Sequence, residues 1–189
     1  FSHKAEKSLP HYYTVYLPYH DVTAELTPTD RAVRFRFTFP ENKNSYVVVD
    51  AFDQGSYVKI IPGENKITGY STRNSGGVPE NFKTYFVIEF DRPFEYTHVW
   101  QGEELLENEL EIEEDHVGAV IGFSTHKGKT VNARVASSFI SYEQAERNLQ
   151  EIGEDDFETV KAKGREIWNK ELSRIEVEGG TVEQTRTFY

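Results

Sequence analysis

The segment from residue 31 to residue 39, RAVRFRFTF, alternates between polar and apolar side chains. A period of two is typical of a β-strand with one buried face and one solvated face. Similar short runs recur through the first 140 residues, with turn residues between them. The ten predicted strands are 12–17, 22–27, 31–39, 46–49, 57–61, 66–70, 84–90, 94–100, 117–123 and 129–140. The last two are predicted to be joined by a hairpin loop at 125–128. Many short strands at this spacing predict a β-sandwich or a barrel.

Helical signals replace this pattern after residue 140. A capping pair with S-x-x-Q spacing begins at Ser141, and Gly153 is expected to end the first helix. A second helix is expected to open at Asp155, and a third at Thr181. The apolar stripe of the second helix is Phe157, Val160, Gly164, Ile167, Trp168 and Leu172. Strands followed by helices indicate an α+β order, or a β domain with a connector to another domain.

Charge and composition exclude several classes of protein. The chain has 21 Lys and Arg against 32 Asp and Glu, a formal net charge of −11. This excess opposes contact with phosphate backbones, so no nucleic-acid partner is expected. There is no apolar run of the roughly 18 residues that a membrane-spanning helix requires. The absence of Cys removes disulfides, thiolate nucleophiles and Cys-ligated zinc.

We interpret both ends of the sequence as cut. Met is absent everywhere, including position 1, although a translation product begins with Met unless it is processed. The helix predicted from Thr181 has only about two turns before Tyr189, and so short a helix normally packs on something downstream. We therefore expect a piece of a larger protein. A frayed native C-terminus is the alternative interpretation.

Motifs for autonomous catalysis are not found in the sequence. The six His residues have no metal-binding spacing such as H-x-H or H-E-x-x-H. The G-x-S-x-G nucleophile motif and the Gly-rich phosphate loops are also absent. Glu109, Glu111 and Glu113 would share one face of a strand, where three like charges are tolerable only in contact with water. We assign no catalytic residue and no metal ligand.

The segment Ser71–Lys83 is the longest predicted loop and the candidate for substrate binding. It contains Arg73 and Asn74, which offer hydrogen-bonding groups, and Phe82, which offers an aromatic face. This combination suits a sugar, although a plain exposed loop has the same composition. The loop Phe52–Gly55 has a similar but weaker claim.

Nine ordered segments resemble glycoside hydrolase family 92, the calcium-dependent exo-acting α-mannosidases. They are FSH at 1–3, PHYY at 10–13, ELTPTDR at 25–31, RFTFP at 36–40, ITGY at 67–70, YFVIEF at 85–90, SFIS at 138–141, WNKELSRIEVEGG at 168–180 and TFY at 187–189. The sequence departs from the family pattern at His11, which replaces a Gly, and in the segment 51–55. The loop 71–83 also lacks the expected Trp.

The resemblance implies a mainly β fold: an antiparallel β-sandwich of the supersandwich, galactose-mutarotase-like type, followed by linker helices. Residues 1–140 would form this sandwich, incomplete at its N-terminus, and residues 141–189 would lead to a missing (α/α)6 catalytic barrel. The family hydrolyses terminal α-mannosides with inversion, using a Glu acid, an Asp base and calcium. These groups are expected outside this chain, which would be inactive alone. Mannose-containing glycans and the barrel are the expected partners, and the location is periplasmic or secreted.

Two other classes of function remain open from the sequence. The first is a free-standing carbohydrate-binding module, in which exposed aromatic residues such as Phe82 or Trp100 would stack on sugar. The second is a structural or protein-binding sandwich, with an apolar patch where Ile167, Trp168 and Phe188 meet a partner. The exposure of the helices separates these alternatives, because a self-contained module would bury its own apolar stripe.

Overall fold

A computed structural model describes residues 2–126 and 129–189 of the chain. Part of the predicted hairpin loop, Lys127 and Gly128, lies outside the described residues. The strands are β1 (Glu6–Leu9), β2 (Tyr12–Leu17), β3 (Val22–Pro28), β4 (Ala32–Phe39), β5 (Asn42–Asp50), β6 (Ser56–Ile61), β7 (Lys66–Ser71), β8 (Thr84–Phe90), β9 (Tyr96–Gln101), β10 (Glu104–Leu106), β11 (Glu111–Glu114), β12 (Val117–Thr125) and β13 (Lys129–Ser138). The helices are α1 (Tyr142–Leu149), α2 (Phe157–Leu172) and α3 (Val182–Phe188).

These strands form two antiparallel sheets that pack face to face. The larger sheet has nine strands in the order β1-β2-β3-β4-β13-β8-β7-β6-β11. The smaller sheet has four strands in the order β10-β9-β12-β5. The predicted mainly β, antiparallel sandwich with helices at its C-terminal end is therefore confirmed.

The core between the sheets follows from the period-two pattern. In β4, Phe35, Phe37 and Phe39 belong to this core. Arg34 and Arg36 alternate with them and lie on the other face of the sheet, where Arg36 donates to Glu158 of α2. The opposing sheet supplies β12, in which Val117, Ala119, Ile121 and Phe123 are fully buried. Alternate side chains of a strand point to opposite faces, so one strand separates core from surface residue by residue.

The helices cover the outer face of the nine-stranded sheet. Helix α1 packs on β13 and β8, and α2 packs on β3 and β4. Ala145, Leu149, Ile152 and Val160 form a second apolar cluster against that face. The first N-cap is Ser141, as predicted, but the second is Asp156 rather than Asp155: its carboxylate accepts the Thr159 N–H at 2.8 Å.

Three short strands are not among the ten predicted ones, although Glu111 and Glu113 of β11 were considered as part of a strand. β1 pairs with β2, β10 with β9 and β11 with β6, all at sheet edges. Their sequences are rich in charged residues and too short to show a clear period, so only pairing with a neighbour identifies them. Within the described residues, no helix is both long and apolar enough to cross a bilayer.

Candidate functional site

The loop between β5 and β6, residues 51–55, has a constrained backbone. Phe52 and Gln54 have φ angles of 66° and 75°, and Gly55 has φ of 99°. Positive φ is costly for residues with a side chain, and such positions concentrate at binding and catalytic sites. The Asp50 carboxylate accepts the Phe52 N–H at 2.8 Å. The loop is thus held in an unusual conformation by specific hydrogen bonds.

The predicted substrate loop begins directly against this segment. The Thr72 N–H donates to the Gly55 carbonyl at 2.9 Å, and the Thr72 hydroxyl donates to the same oxygen at 2.9 Å. The Gly55 N–H donates in turn to the Asp115 carbonyl at 2.9 Å. A Cβ at Gly55 would lie 2.9 Å from the Thr72 hydroxyl oxygen, so this close approach requires glycine. We call residues 51–55 and 72–83 the loop cluster.

Arg73 bridges the two parts of the loop cluster. Its guanidinium forms an ion pair with Asp53 and lies 5.5 Å from the centroid of the Phe52 ring. The Arg73 side chain is 50% exposed and that of Asp53 is 45% exposed. An exposed pair of this kind contributes little to stability, but it orients a forked donor beside an aromatic ring at the surface.

Asn74 uses its side chain to shape the turn that follows. Its amide N–H donates to the Thr72 carbonyl at 2.9 Å, and its amide oxygen accepts the Gly76 N–H at 2.8 Å. The Asn74 backbone N–H also donates to the Gln54 side-chain oxygen at 3.4 Å. Arg73 and Asn74 therefore both contact the loop at 51–55, and they lie next to each other on the same surface.

Phe82 lies at the other end of the same loop. The ends of the loop leave the sheet side by side, because Ser71 pairs with Thr84. The Phe82 ring packs on Phe139, with centroids 5.5 Å apart, and Phe139 is 72% exposed. Phe82 is thus held by the segment before α1, while Arg73 and Asn74 are held by the segment 51–55.

A row of tyrosines crosses the outer face of the larger sheet near the loop cluster. Tyr57, Tyr70 and Tyr85 are register neighbours on β6, β7 and β8, and Tyr142 of α1 meets Tyr85 at a centroid distance of 4.8 Å. The ammonium group of Lys83 lies 3.5 Å from the centroid of the Tyr70 ring. Tyr70 is only 8% exposed, so the row is a packed part of this face rather than an open surface.

Acidic residues of β11 accept hydrogen bonds from two of these tyrosines. Tyr57 donates to Glu111 at 3.0 Å, and Tyr70 donates to Glu113. Burial, followed by the hydrogen bond to the carboxylate, raises the pKa of each of the two phenols to about 12. Both hydroxyls therefore stay protonated near neutral pH and act as donors.

The functional groups of the loop cluster are suited to binding a polar, hydroxylated ligand. The loop cluster combines a guanidinium, side-chain amides and aromatic rings at an exposed loop surface. Within residues 2–126 and 129–189, no group of three or more His, Asp or Glu side chains is arranged to hold a metal ion. The guanidinium and amide groups of the loop cluster are suited to hydrogen bonds with ligand hydroxyl groups.

Comparison with known families decides the classification. The profile of the glycosyl hydrolase family 92 N-terminal domain matches residues 1–138, and that of the family 92 catalytic domain matches residues 144–189. The chain belongs to glycoside hydrolase family 92. The recognition made from the sequence motifs is thereby confirmed. No curated protein matches the chain significantly.

Solved structures of family 92 enzymes have the same fold. An inverting mannosidase from Bacteroides thetaiotaomicron superposes on the whole chain with a TM-score of 0.93 and 40% identity. An α-mannosidase from the same organism, solved with mannoimidazole, covers 95% of the chain with a TM-score of 0.86 and 29% identity. The chain spans only 26% and 25% of the lengths of these two proteins.

Part of the loop cluster carries little signal in the sequence. Asp53 was included only as a member of the weaker candidate loop Phe52–Gly55, and Asp50 was not singled out, because acidic residues are frequent in this chain. The tyrosine row was also missed, since its members come from four elements. The clue available in the sequence was the run Phe52–Gly55, which has the composition of a constrained turn.

Proposed function

We propose that this chain is the N-terminal, non-catalytic domain of an exo-acting α-mannosidase that hydrolyses terminal α-mannosides with inversion. The observation that carries the proposal is the 40% identity over the whole chain to an inverting mannosidase of the same family. The second relative, an α-mannosidase solved with mannoimidazole, supports the same substrate class.

In this proposal the loop cluster forms one wall of the sugar pocket. Arg73 and Asn74 donate hydrogen bonds to sugar hydroxyl groups, and Phe82 supplies an apolar face. The support is the arrangement of these groups: constrained backbone, exposed donors and aromatic rings. Exposed loops on a rigid sandwich are frequent carriers of binding residues.

The helices have the role of carrying the catalytic barrel. Ile167, Trp168 and Phe188 are 61%, 43% and 52% exposed, although apolar stripes normally face a core. The family catalytic-domain profile matches this region, residues 144–189. A free-standing carbohydrate-binding module would bury this stripe, so the exposure favours the domain role. The boundary at residue 140 stays a prediction.

Calcium and the acid and base pair are assigned to the rest of the polypeptide. The described residues offer no convergent set of carboxylates for a calcium ion. We therefore derive no catalytic step from this chain, and we propose that it is inactive alone. Periplasmic or secreted location is part of the same proposal and follows only from the family resemblance.

The test compares the 189-residue chain with the full-length polypeptide that carries it. Both are assayed on a chromogenic aryl α-mannoside and on α-mannobiose with calcium. We expect turnover only by the full-length protein. Arg73→Ala and Asn74→Ala should each lower its kcat/KM about tenfold, equivalent to roughly 1.4 kcal/mol.

The matched control is Arg174→Ala, because the Arg174 side chain forms an exposed ion pair with Glu171. This variant should keep wild-type kcat/KM. Robust hydrolysis by the 189-residue chain would contradict the assignment of catalysis to the rest of the polypeptide. Wild-type kinetics in both loop variants would contradict the role of the loop cluster.

A further inference from the structure

The outer face of the four-stranded sheet carries a row of aromatic side chains. On β9, Tyr96, His98 and Trp100 follow one another at every second residue and therefore point to the same side. Tyr96 and Trp100 are register neighbours of Gly122 and Gly118 on β12. Glycine at these two positions leaves space on the sheet surface beside the rings.

The rings of Tyr96 and Trp100 occupy this space and lie over the glycines. A Cβ built on Gly122 would be 2.0, 2.3 and 2.3 Å from three ring atoms of Tyr96. A Cβ built on Gly118 would be 2.4 and 2.5 Å from two ring atoms of Trp100. Because adjacent ring atoms lie at similar distances from the Cβ position, each ring packs with its face against the sheet. Both residues are only half-buried, so part of each side chain is exposed at the surface of the sheet.

Holding these side chains on the sheet has a cost in hydrogen bonds. Within the described residues, three buried side-chain nitrogens have no hydrogen-bond partner: Arg34 Nε, His98 Nδ1 and Trp100 Nε1. Two of the three belong to this row. A buried polar atom without a hydrogen bond costs about 1–3 kcal/mol, unless an ordered water or a bound molecule supplies the partner.

The row continues into the loop cluster through polar contacts. The His116 ring packs against Trp100 at a centroid distance of 5.1 Å, and its Nε2 lies 2.9 Å from the Asp50 carboxylate. Asp50 in turn accepts the Phe52 N–H of the loop cluster. At the other end, Tyr46 lies across Gly122 from Tyr96 and is 50% exposed.

We propose that Tyr96, His98 and Trp100, with Tyr46 beside them, form a binding strip for an oligosaccharide chain. A pyranose ring has an apolar face of C–H groups that packs on an aromatic face, and its hydroxyl groups can bond to Tyr46, Asp50 and His116. Tyr96 and Trp100 are four residues apart, about 13 Å along the strand, which suits several linked sugar units rather than one. That the units are mannose rests on the proposed function.

Binding by the 189-residue chain tests the strip directly. Calorimetric titrations with α-mannobiose and α-mannohexaose should show tighter binding of the longer sugar, because only that sugar spans the strip. Trp100→Ala and Tyr96→Ala should each weaken α-mannohexaose binding about tenfold. Circular dichroism and thermal unfolding of each variant establish that it is folded.

A glycine variant tests the strip without removing any aromatic side chain. Gly122→Ala places a methyl group where the Tyr96 ring lies, so it should turn that ring off the sheet and weaken binding. Gly63→Ala is the matched control, since a Cβ at Gly63 has no atom within 4 Å. This control should bind like the wild type.

Three results at the strip itself would overturn the proposal. They are no α-mannohexaose binding by the wild-type chain, unchanged affinity in Trp100→Ala and Gly122→Ala, or self-association through Trp100 without sugar binding. Loss of α-mannohexaose binding in Arg73→Ala with full binding in Trp100→Ala would show that the sugar binds at the loop cluster instead. This result would also overturn the proposal. Failure of the full-length protein to hydrolyse α-mannosides would instead refute the proposed function, and binding to the strip would still be measured.

Discussion

Arg36 connects the sandwich to helix α2 and provides a quantitative test of the fold. Its Nε and Nη2 atoms donate to the two oxygens of Glu25 at 2.6 and 2.8 Å. Its Nη1 donates to Glu158 of α2 at 2.8 Å, and its guanidinium carbon lies 4.1 Å from the centroid of the Phe157 ring. One side chain thus joins β3, β4 and the start of α2.

We expect Arg36→Ala to destabilise the chain by about 3 kcal/mol. Most of this loss comes from Glu25, because its side chain is only 11% exposed and would lose its cationic partner. Hydrogen bonds to charged groups contribute about 1.5–3 kcal/mol each. The contact with Phe157 adds about 0.5–1 kcal/mol. Glu158 is 63% exposed, so its pair adds little.

Urea unfolding followed by circular dichroism measures this loss, and the melting temperature should fall by about 6–12 °C. The unfolding free energy of Arg36→Lys should lie between those of Arg36→Ala and the wild type, because Lys keeps the charge but cannot form the bidentate pair. Arg174→Ala, which removes an exposed ion pair, should change stability by less than about 0.5 kcal/mol. A loss below about 1 kcal/mol in Arg36→Ala would refute the reasoning.

Two further predictions concern pH and packing. Burial raises the pKa of Glu25, but hydrogen bonds from Arg36 and Tyr12 outweigh it and hold that pKa below 4.5. The stabilisation by the Glu25 carboxylate is therefore complete above pH 4.5 and is lost as the pH falls through the folded-state pKa. In urea unfolding, the stability difference between the wild type and Arg36→Ala should be smaller at pH 3 than at pH 7. An equal difference at the two pH values would contradict this. Gly69→Ala would place a Cβ 2.3 Å from a backbone oxygen and 2.4 Å from a phenyl carbon. It should lower the unfolding free energy by about 1–3 kcal/mol in the same assay, whereas Gly63→Ala should leave it unchanged. Equal stability of the two variants would show that the sheet relaxes around the methyl group.

Local signals in the sequence were sufficient for most of the elements. The alternation in 31–39 placed Phe35, Phe37 and Phe39 together on the core face, as the structure has them. The caps at Ser141 and Thr181 were also predicted correctly, since each depends on a hydrogen bond to a residue three positions later. The cap of α2 was misplaced by one residue, because Asp155 and Asp156 are adjacent carboxylates with equal capping ability.

The candidate binding surfaces were predicted less completely. The loop containing Arg73 and Asn74 was predicted to bind substrate from its length and composition, and its contact with Asp53 of the weaker candidate loop is visible only in the structure. The position of Phe82 against Phe139 joins residues 57 positions apart in the sequence. The row of Tyr96, His98 and Trp100 was represented only by Trp100, and the glycines beneath the rings carried no signal of their own.

The sequence by itself determined the alternation of each strand, the helix caps and the order of sandwich and helices, because these depend on residues a few positions apart. The tertiary structure decided which strands are neighbours, and therefore which aromatic rings lie over glycine and which loops share a surface. Strand register is set by packing the whole chain, since a shift of one residue would exchange the core and solvent faces of a strand.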